Sequence, residues 1–347
     1  MRVIDLLHRW TGGVIGLLLA IMGLSGTLLV NADSLFSPAI HAPARTMPLS
    51  GVVAEAERGT ASRTDYIIFA SPDFPFHRVT YNDGSGRFLD TGGAIVARWQ
   101  SQWQRPELWL FDLHRYLFIG KNGETIVGIA AMLGLGFVVT GTILWWQRRR
   151  TFAPRFWPSR MTRSAIVRHH RDLGILLAPL LCLSFTTGAM MALKPVGLAL
   201  VSPWSSAREI EAATAKPIAT SQPPAVEPHW QAIFAEAQRR FPQAETRLLS
   251  FPVKPGDLIQ IRMRQPQEWL PNGHTNLWFA PGDGHLIATK DARTLPTGAT
   301  ILDRVYPLHA AKVGGFLTKL IMTISGIGLA LLGSFAVWSF WFKRPQR

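Results

Sequence analysis

Residues 113–150 read LHRYLFIGKNGETIVGIAAMLGLGFVVTGTILWWQRRR. A histidine leads and a glycine-broken GKNG segment follows. Residues 125–147 then run 23 positions without a charged side chain, and three arginines close the stretch. About 20 apolar residues suffice to cross a hydrocarbon core of about 30 Å. Lipid offers no hydrogen-bond partner to an open backbone, so the run is expected to be helical. His114 therefore stands just ahead of a membrane helix, and three more histidines occupy comparable places.

Three further windows lack Asp, Glu, Lys and Arg: residues 11–30, 173–193 and 320–342. Four spanning helices are expected in this chain of 347 residues, 48% of them hydrophobic. The formal charge of +14 raises the question of nucleic acid, and its location answers it. Eight arginines against the single Asp172 give +7 between 148 and 172, the C-terminal tail gives +3 and the N-terminus +1, so +11 of the +14 is gathered there. All three segments fall on one side of a four-helix topology, the positive-inside pattern of a cytoplasmic face. The basic run is read as topology, with anionic lipid contact second, and no nucleic-acid partner is expected. Both termini are then cytoplasmic in a bacterial inner membrane, with the two long connections in the periplasm of a Gram-negative cell.

The expected segments are a first transmembrane helix in 1–31, a first external domain in 32–112 and a second helix in 113–147. A basic cytoplasmic loop fills 148–164 and a third helix 165–193. A second external domain occupies 194–307, a fourth helix 308–342 and a cytoplasmic tail 343–347. The lone Cys182 excludes a disulfide framework or a CxxC site within one chain. A cleaved signal peptide ending at the APA of 42–44 would need an unusually long leader and would strip away one helix.

The sequence also matches itself. A shift of 162 lays His8 on His170, Arg9 on Arg171, Gly12 on Gly174 and Gly26 on Gly188. A shift of 195 lays His114 on His309, Gly120 on Gly315 and Trp146 on Trp341. Two copies of helix, external domain, helix are expected, running in the same direction. In the second external domain Trp230, Ile233, Phe234, Ala237 and Phe241 mark a helix face. Strands are expected at 247–253, 258–263, 275–279 and 285–289. The first domain reads as a helix near 52–58 and strands near 66–69, 77–81 and 87–89, while 205–228 reads as a linker.

This topology sorts the histidines into two layers. His8 and His170 begin outward-going helices and belong near the cytoplasmic face, with His169 a neighbour able to replace His170. His114 and His309 precede inward-going helices and belong near the external face. Two imidazoles from different helices can supply both axial ligands of a haem iron, whose potential follows from ligation and burial. Gly12, Gly13 and Gly16 after His8, and Gly314 and Gly315 after His309, are expected to let a porphyrin approach the backbone. A bland alternative makes each histidine an interfacial anchor at a helix end. A continuous helix would lift His114 about 16 Å above its apolar window at about 1.5 Å per residue, unless GKNG bends the chain.

The motifs LHRYLFIG, NGETIVGI and VVTGTILWWQRRR, with LLHRWTGGVIGLLLAIMGLSGTLLV and HHRDLGILLAPLLCLSFTTGAMMAL, resemble the PepSY-associated transmembrane proteins, often called iron-regulated membrane proteins. Gln147 stands where many relatives have proline. The resemblance covers nearly the whole chain. It implies a four-helix integral membrane protein, built as a tandem duplication with two small α+β periplasmic PepSY-like domains. Some members are ferric-siderophore reductases with two b-type haems, one near each membrane face. Carried over by motif, His8 and His170 would hold the inner haem iron, and His114 and His309 the outer one. The implied oxidoreductase would take electrons from a membrane quinol or a partner reductase and pass them to Fe(III) in a periplasmic siderophore, releasing Fe(II).

Trp99, Trp103 and Trp109, with Arg98 and Arg105, offer aromatic and cationic contacts for such a chelate, although an aromatic membrane belt reads the tryptophans equally well. His274 and His285 are weaker metal candidates. Two other classes compete with the reductase. One is a haem-free PepSY regulatory or ligand-binding module, which needs no paired histidines. The other is a siderophore permease, against which stand four helices with no inverted repeat and no charged mid-membrane site.

Overall fold

The computed structural model describes residues 2–38, 46–217, 228–254 and 256–342. The APA at 42–44, part of the 205–228 segment and the tail 343–347 lie outside the described residues. In chain order the helices and strands are α1 (Arg2–Val30), α2 (Ala32–Leu35), α3 (Leu49–Glu57), β1 (Thr64–Ile68), β2 (His77–Tyr81), β3 (Gly86–Leu89) and β4 (Ile95–Trp99). Next come α4 (Pro106–Tyr116), α5 (Gly120–Trp146), α6 (Arg163–Ala192), α7 (Lys194–Val201), α8 (Ala207–Thr214) and α9 (Trp230–Arg240). The chain ends with β5 (Glu245–Ser250), β6 (Ile259–Arg264), β7 (Thr275–Phe279), β8 (Leu286–Lys290), α10 (Thr297–His309) and α11 (Gly315–Trp341). The described residues form two compact units, one drawn from 2–35, 109–200 and 305–342, the other from 36–108 and 201–304.

The first unit contains α1, α5, α6 and α11, each long and apolar enough to cross a membrane. Their interior combines large side chains, among them Leu19, Leu173, Leu177, Leu181 and Phe185, with seams of small residues. In α5 the buried positions are Gly123, Gly128, Ala130, Ala131 and Gly134, while Ile126, Ile129, Met132 and Val139 face outward. In lipid, burying large apolar groups brings no hydrophobic gain, so packing relies on close backbone approach. A Cβ on Gly23 would lie 2.5 Å from the Gly326 carbonyl and one on Gly16 2.9 Å from that of Gly333, which makes the α1–α11 seam a backbone contact. Gly13 is covered by the Phe340 ring. Gly13 and Gly16 therefore serve helix packing, and the expectation that they admit a porphyrin is corrected.

The second unit is an antiparallel eight-stranded sheet in the order β4-β3-β2-β1-β5-β6-β7-β8. The two segments read as separate domains thus join edge to edge, with Ile67 of β1 opposite Leu249 of β5. Val52, Val53 and Ala56 of α3 and Ile233 and Ala237 of α9 share one core with Ile67, Val79, Leu249, Ile261 and Leu277. A smaller cluster joins Phe76, Phe88 and Trp99. Strand β4 was absent from the sequence reading, and α8 falls inside the expected linker, capped by Ser206 and Glu209.

Two histidine pairs as a candidate cofactor site

His8 lies in the second turn of α1, and its ring centre is 6.2 Å from that of His170 on α6. His114 lies near the end of α4, and its ring centre is 6.3 Å from that of His309, the last residue of α10. The two pairs occupy opposite ends of the bundle. His114 packs against Gly26 of α1, 18 residues from His8, or about 27 Å along the helix.

His114 reaches this depth because α4 and α5 are separate helices. Between them Leu117, Phe118 and Gly120 take positive φ angles of 48°, 61° and 60°, turning the chain back so that the end of α4 meets the bundle. Ala311, Gly314 and Gly315, at 51°, 79° and 60°, follow His309 before α11. The first turn therefore falls at 117–120, just ahead of the remainder of the GKNG segment, which opens α5, and a second lies at 311–315. Gly314 and Gly315 belong to the second one.

Three of the four rings are held through Nδ1. The Nδ1 of His8 is 2.8 Å from the Thr140 hydroxyl, that of His114 2.9 Å from Ser25 and that of His309 2.8 Å from Thr187. Each hydroxyl donates its own proton to a carbonyl one turn earlier: Thr140 to Gly136, Ser25 to Ile21 and Thr187 to Leu183. A hydroxyl has a single proton, so Nδ1 must be the donor to it. Nε2 is left with its lone pair. Sequence reasoning passed over these hydroxyls because an isolated Ser or Thr in an apolar helix is unremarkable in composition. The register at a shift of 162, which lays Ser25 on Thr187, was the available signal.

His169 does not join a pair. Its ring is fully buried, its Nε2 lies 3.2 Å from the Phe156 carbonyl, and it packs edge-on against Phe335. Beside it Asp172, with no exposed surface, is held by Arg155 and Arg171, and Arg171 also donates to Thr151.

Do these residues fit a haem? Imidazole–metal bonds of about 2.0–2.1 Å, with each ring centre about 1.2 Å behind its nitrogen, require ring centres roughly 6.4–6.6 Å apart. The pairs, at 6.2 and 6.3 Å, lie within a few tenths of an ångström of that spacing. Two imidazoles fall short of the three or four protein ligands of a zinc site, and they equal the axial set of a macrocycle that brings its own nitrogens. Gly12 and Gly174, one turn beyond His8 and His170, have only a single side-chain atom at 4.0 Å from where a Cβ would stand. That space beside the first pair suits a flat ring. The residues fit.

The family described as the PepSY-associated TM region matches residues 6–344. The chain belongs to that family. No curated protein matched the chain. All four paired histidines of this PepSY-associated protein lie within the matched span.

The residues expected to touch a substrate fare unevenly. Trp99 is only 3% exposed, wedged against Phe88 with its indole N–H directed to the Gly84 carbonyl. It is a core residue, and its assignment as a substrate contact is corrected. Arg105 is engaged with Glu107 at 2.6 Å, with the Phe36 carbonyl and with the Phe88 ring. Arg98 and Trp103 are exposed, and Trp109 is half-buried. His274 pairs with Asp303 at 2.7 Å and exposed His285 with Asp283 at 2.6 Å. Among the described residues no three His, Cys, Asp or Glu side chains gather for a metal ion.

Proposed function

We propose that this membrane protein holds two b-type haems, one between His8 and His170 and one between His114 and His309. Its activity is one-electron reduction of Fe(III) in a ferric siderophore. The ring spacings of 6.2 and 6.3 Å carry the reading. A haem supplies reversible one-electron exchange at its iron. The chain's part is to present two Nε2 lone pairs per site, fix the rings through Nδ1 and bring both pairs into one four-helix bundle. A siderophore binds Fe(II) far more weakly than Fe(III), so adding one electron releases the metal. The donor is a membrane quinol or a partner reductase, because the chain carries no P-loop or dinucleotide fingerprint.

The arginines of 148–172 favour a cytoplasmic location for the His8/His170 end of an inner-membrane bundle, which makes His114/His309 the outer pair facing the periplasm. The paired meanders of the sheet and the φ of 60° at both Gly120 and Gly315 support a tandem duplication. Exposed Arg98 and Trp103 remain the sheet unit's candidates for contact with a chelate.

The test is an oxidised and dithionite-reduced absorption spectrum of the detergent-purified protein, with a pyridine haemochrome assay. About two haems per chain are expected, halved in His8→Ala and in His114→Ala. Ferric siderophore should then re-oxidise the reduced protein. A colourless, well-folded protein from haem-replete cells would overturn the proposal and leave the sheet unit as a regulatory or ligand-binding module.

A further inference from the structure

The hydroxyl that receives each of three histidines is followed in sequence by a glycine. Ser25 precedes Gly26, Thr140 precedes Gly141 and Thr187 precedes Gly188. The rings lie over those glycines: a Cβ would stand 3.0 Å from His114 Cε1 at Gly26, 3.4 Å from His8 Cε1 at Gly141 and 3.4 Å from His309 Cε1 at Gly188. A hydroxyl–glycine pair on a neighbouring helix is thus a socket. It accepts the Nδ1 proton and leaves room for the ring edge.

The fourth corner differs. His170 approaches the Leu332 carbonyl of α11, just as His114 approaches the carbonyl of Met22, three residues before Ser25. Three residues beyond Leu332 stand Phe335 and then Ala336, where the other corners have hydroxyl and glycine. The Nδ1 of His170 is buried with no hydrogen-bond partner.

We infer that Ser25, Thr140 and Thr187 are positioning residues that set the tautomer and basicity of His114, His8 and His309, and that of the two inner ligands His8 has a hydroxyl tether and His170 has none. This rests on the haem reading. An acceptor on Nδ1 raises the basicity of the ligating nitrogen, which favours Fe(III). Removing the acceptor therefore shifts the iron toward Fe(II), and supplying one shifts it back.

The experiment is a potentiometric titration of the full-length holoprotein, resolving the two haems, on Thr140→Val, Ser25→Ala, Phe335→Thr and Phe335→Val. Thr and Val have the same shape, so their difference isolates the hydroxyl. Thr140→Val should shift the inner Fe(III)/Fe(II) equilibrium several-fold toward reduced, with tenfold corresponding to about 59 mV. Ser25→Ala should do the same at the outer haem alone. Phe335→Thr should move the inner haem the opposite way relative to Phe335→Val. Unchanged potentials with two haems retained would overturn the inference while leaving the haem reading intact. Absence of haem from the parent protein would overturn the haem reading instead. Histidine ¹⁵N spectra of haem-free protein then still test the tethers, which require Nδ1–H on His8, His114 and His309.

Discussion

The two histidine pairs reach nearly the same ring spacing on different supports. The inner pair rides on the long helices α1 and α6 themselves, and its end of α6 is tied to the 148–162 segment through Asp172, a carboxylate with no exposed surface between Arg155 and Arg171. The outer pair is carried by the ends of the short helices α4 and α10. Two left-handed turns hold it, and its nearby ion pair, Lys312 with Asp33 at 2.7 Å, is half-exposed. A spacing reached by two constructions is not a by-product of either local geometry. The pairs should also fail independently.

The largest expected effect is at Asp172. Neutralising one member of a buried ion cluster leaves uncompensated charge and costs about 3–5 kcal/mol. Asp172→Asn should release the 148–162 segment and loosen His170, two residues away. Haem content of the purified variant is expected to fall at the inner site with the outer haem retained. Loss of both haems in parallel would show that the layers are not independent.

Telling a local loss from general unfolding needs a reference outside both pairs, and His77 in the sheet unit provides one. Its Nδ1 accepts from the Ala70 amide at 3.0 Å and its ring packs against Phe69, so burial holds its pKa down at about 4 against an ordinary 6.5. A histidine kept neutral by folding contributes stability above pH 6.5, and that contribution is lost as pH falls from 6.5 toward 4. The sheet unit should lose about 2 kcal/mol between pH 7.5 and pH 5. Hydrogen exchange across β1 and β2, corrected for its intrinsic pH dependence, measures this. His77→Asn, which keeps an acceptor but cannot titrate, should flatten the response.

What was legible in the sequence divides along physical lines. The four membrane helices were readable because twenty uncharged residues in a row have few other solutions. The histidine pairs followed from helix direction and from the register in which the sequence matches itself. The joining of two segments into one sheet was not readable, since the pairing of Ile67 with Leu249 links strands far apart in sequence and leaves no local pattern. Strand β4 hid behind its Gly92-Gly93 turn and the charge of Arg98 within its five residues, which sits opposite Arg87 of β3. Gly13 and Gly16 were assigned to a cofactor because small residues look alike whether they face a porphyrin or another backbone. Trp99 was misread for a related reason, as an aromatic near a membrane entrance carries no mark of which side its ring faces.

The turns below the outer pair give the next effect. Gly120 has φ of 60° and open space around its missing side chain, so Gly120→Val meets no clash and suffers only backbone strain. That strain is about 1–2 kcal/mol in a left-handed conformation. The expected readout is faster transfer of the outer haem to an apo-haem acceptor, with the inner haem unmoved. Equal acceleration of both would mean that the turn supports the bundle as a whole.

The smallest effect sharpens the contrast between the two ion pairs. Lys312 and Asp33 retain 26% and 34% of their side-chain exposure, so water and salt screen them, and such pairs contribute about 0–1 kcal/mol. Lys312→Met keeps most of the aliphatic stem and should change thermal stability in detergent by less than about 1 kcal/mol, with less difference from the parent in high salt. The Asp172→Asn loss should depend less on salt, because the carboxylate itself has no exposed surface and Arg171 little. If Lys312→Met instead matched Asp172→Asn in size, the outer pair would be anchored by charge as firmly as the inner one. The distinction between a layer fixed by a buried carboxylate and a layer fixed by backbone turns would then fall.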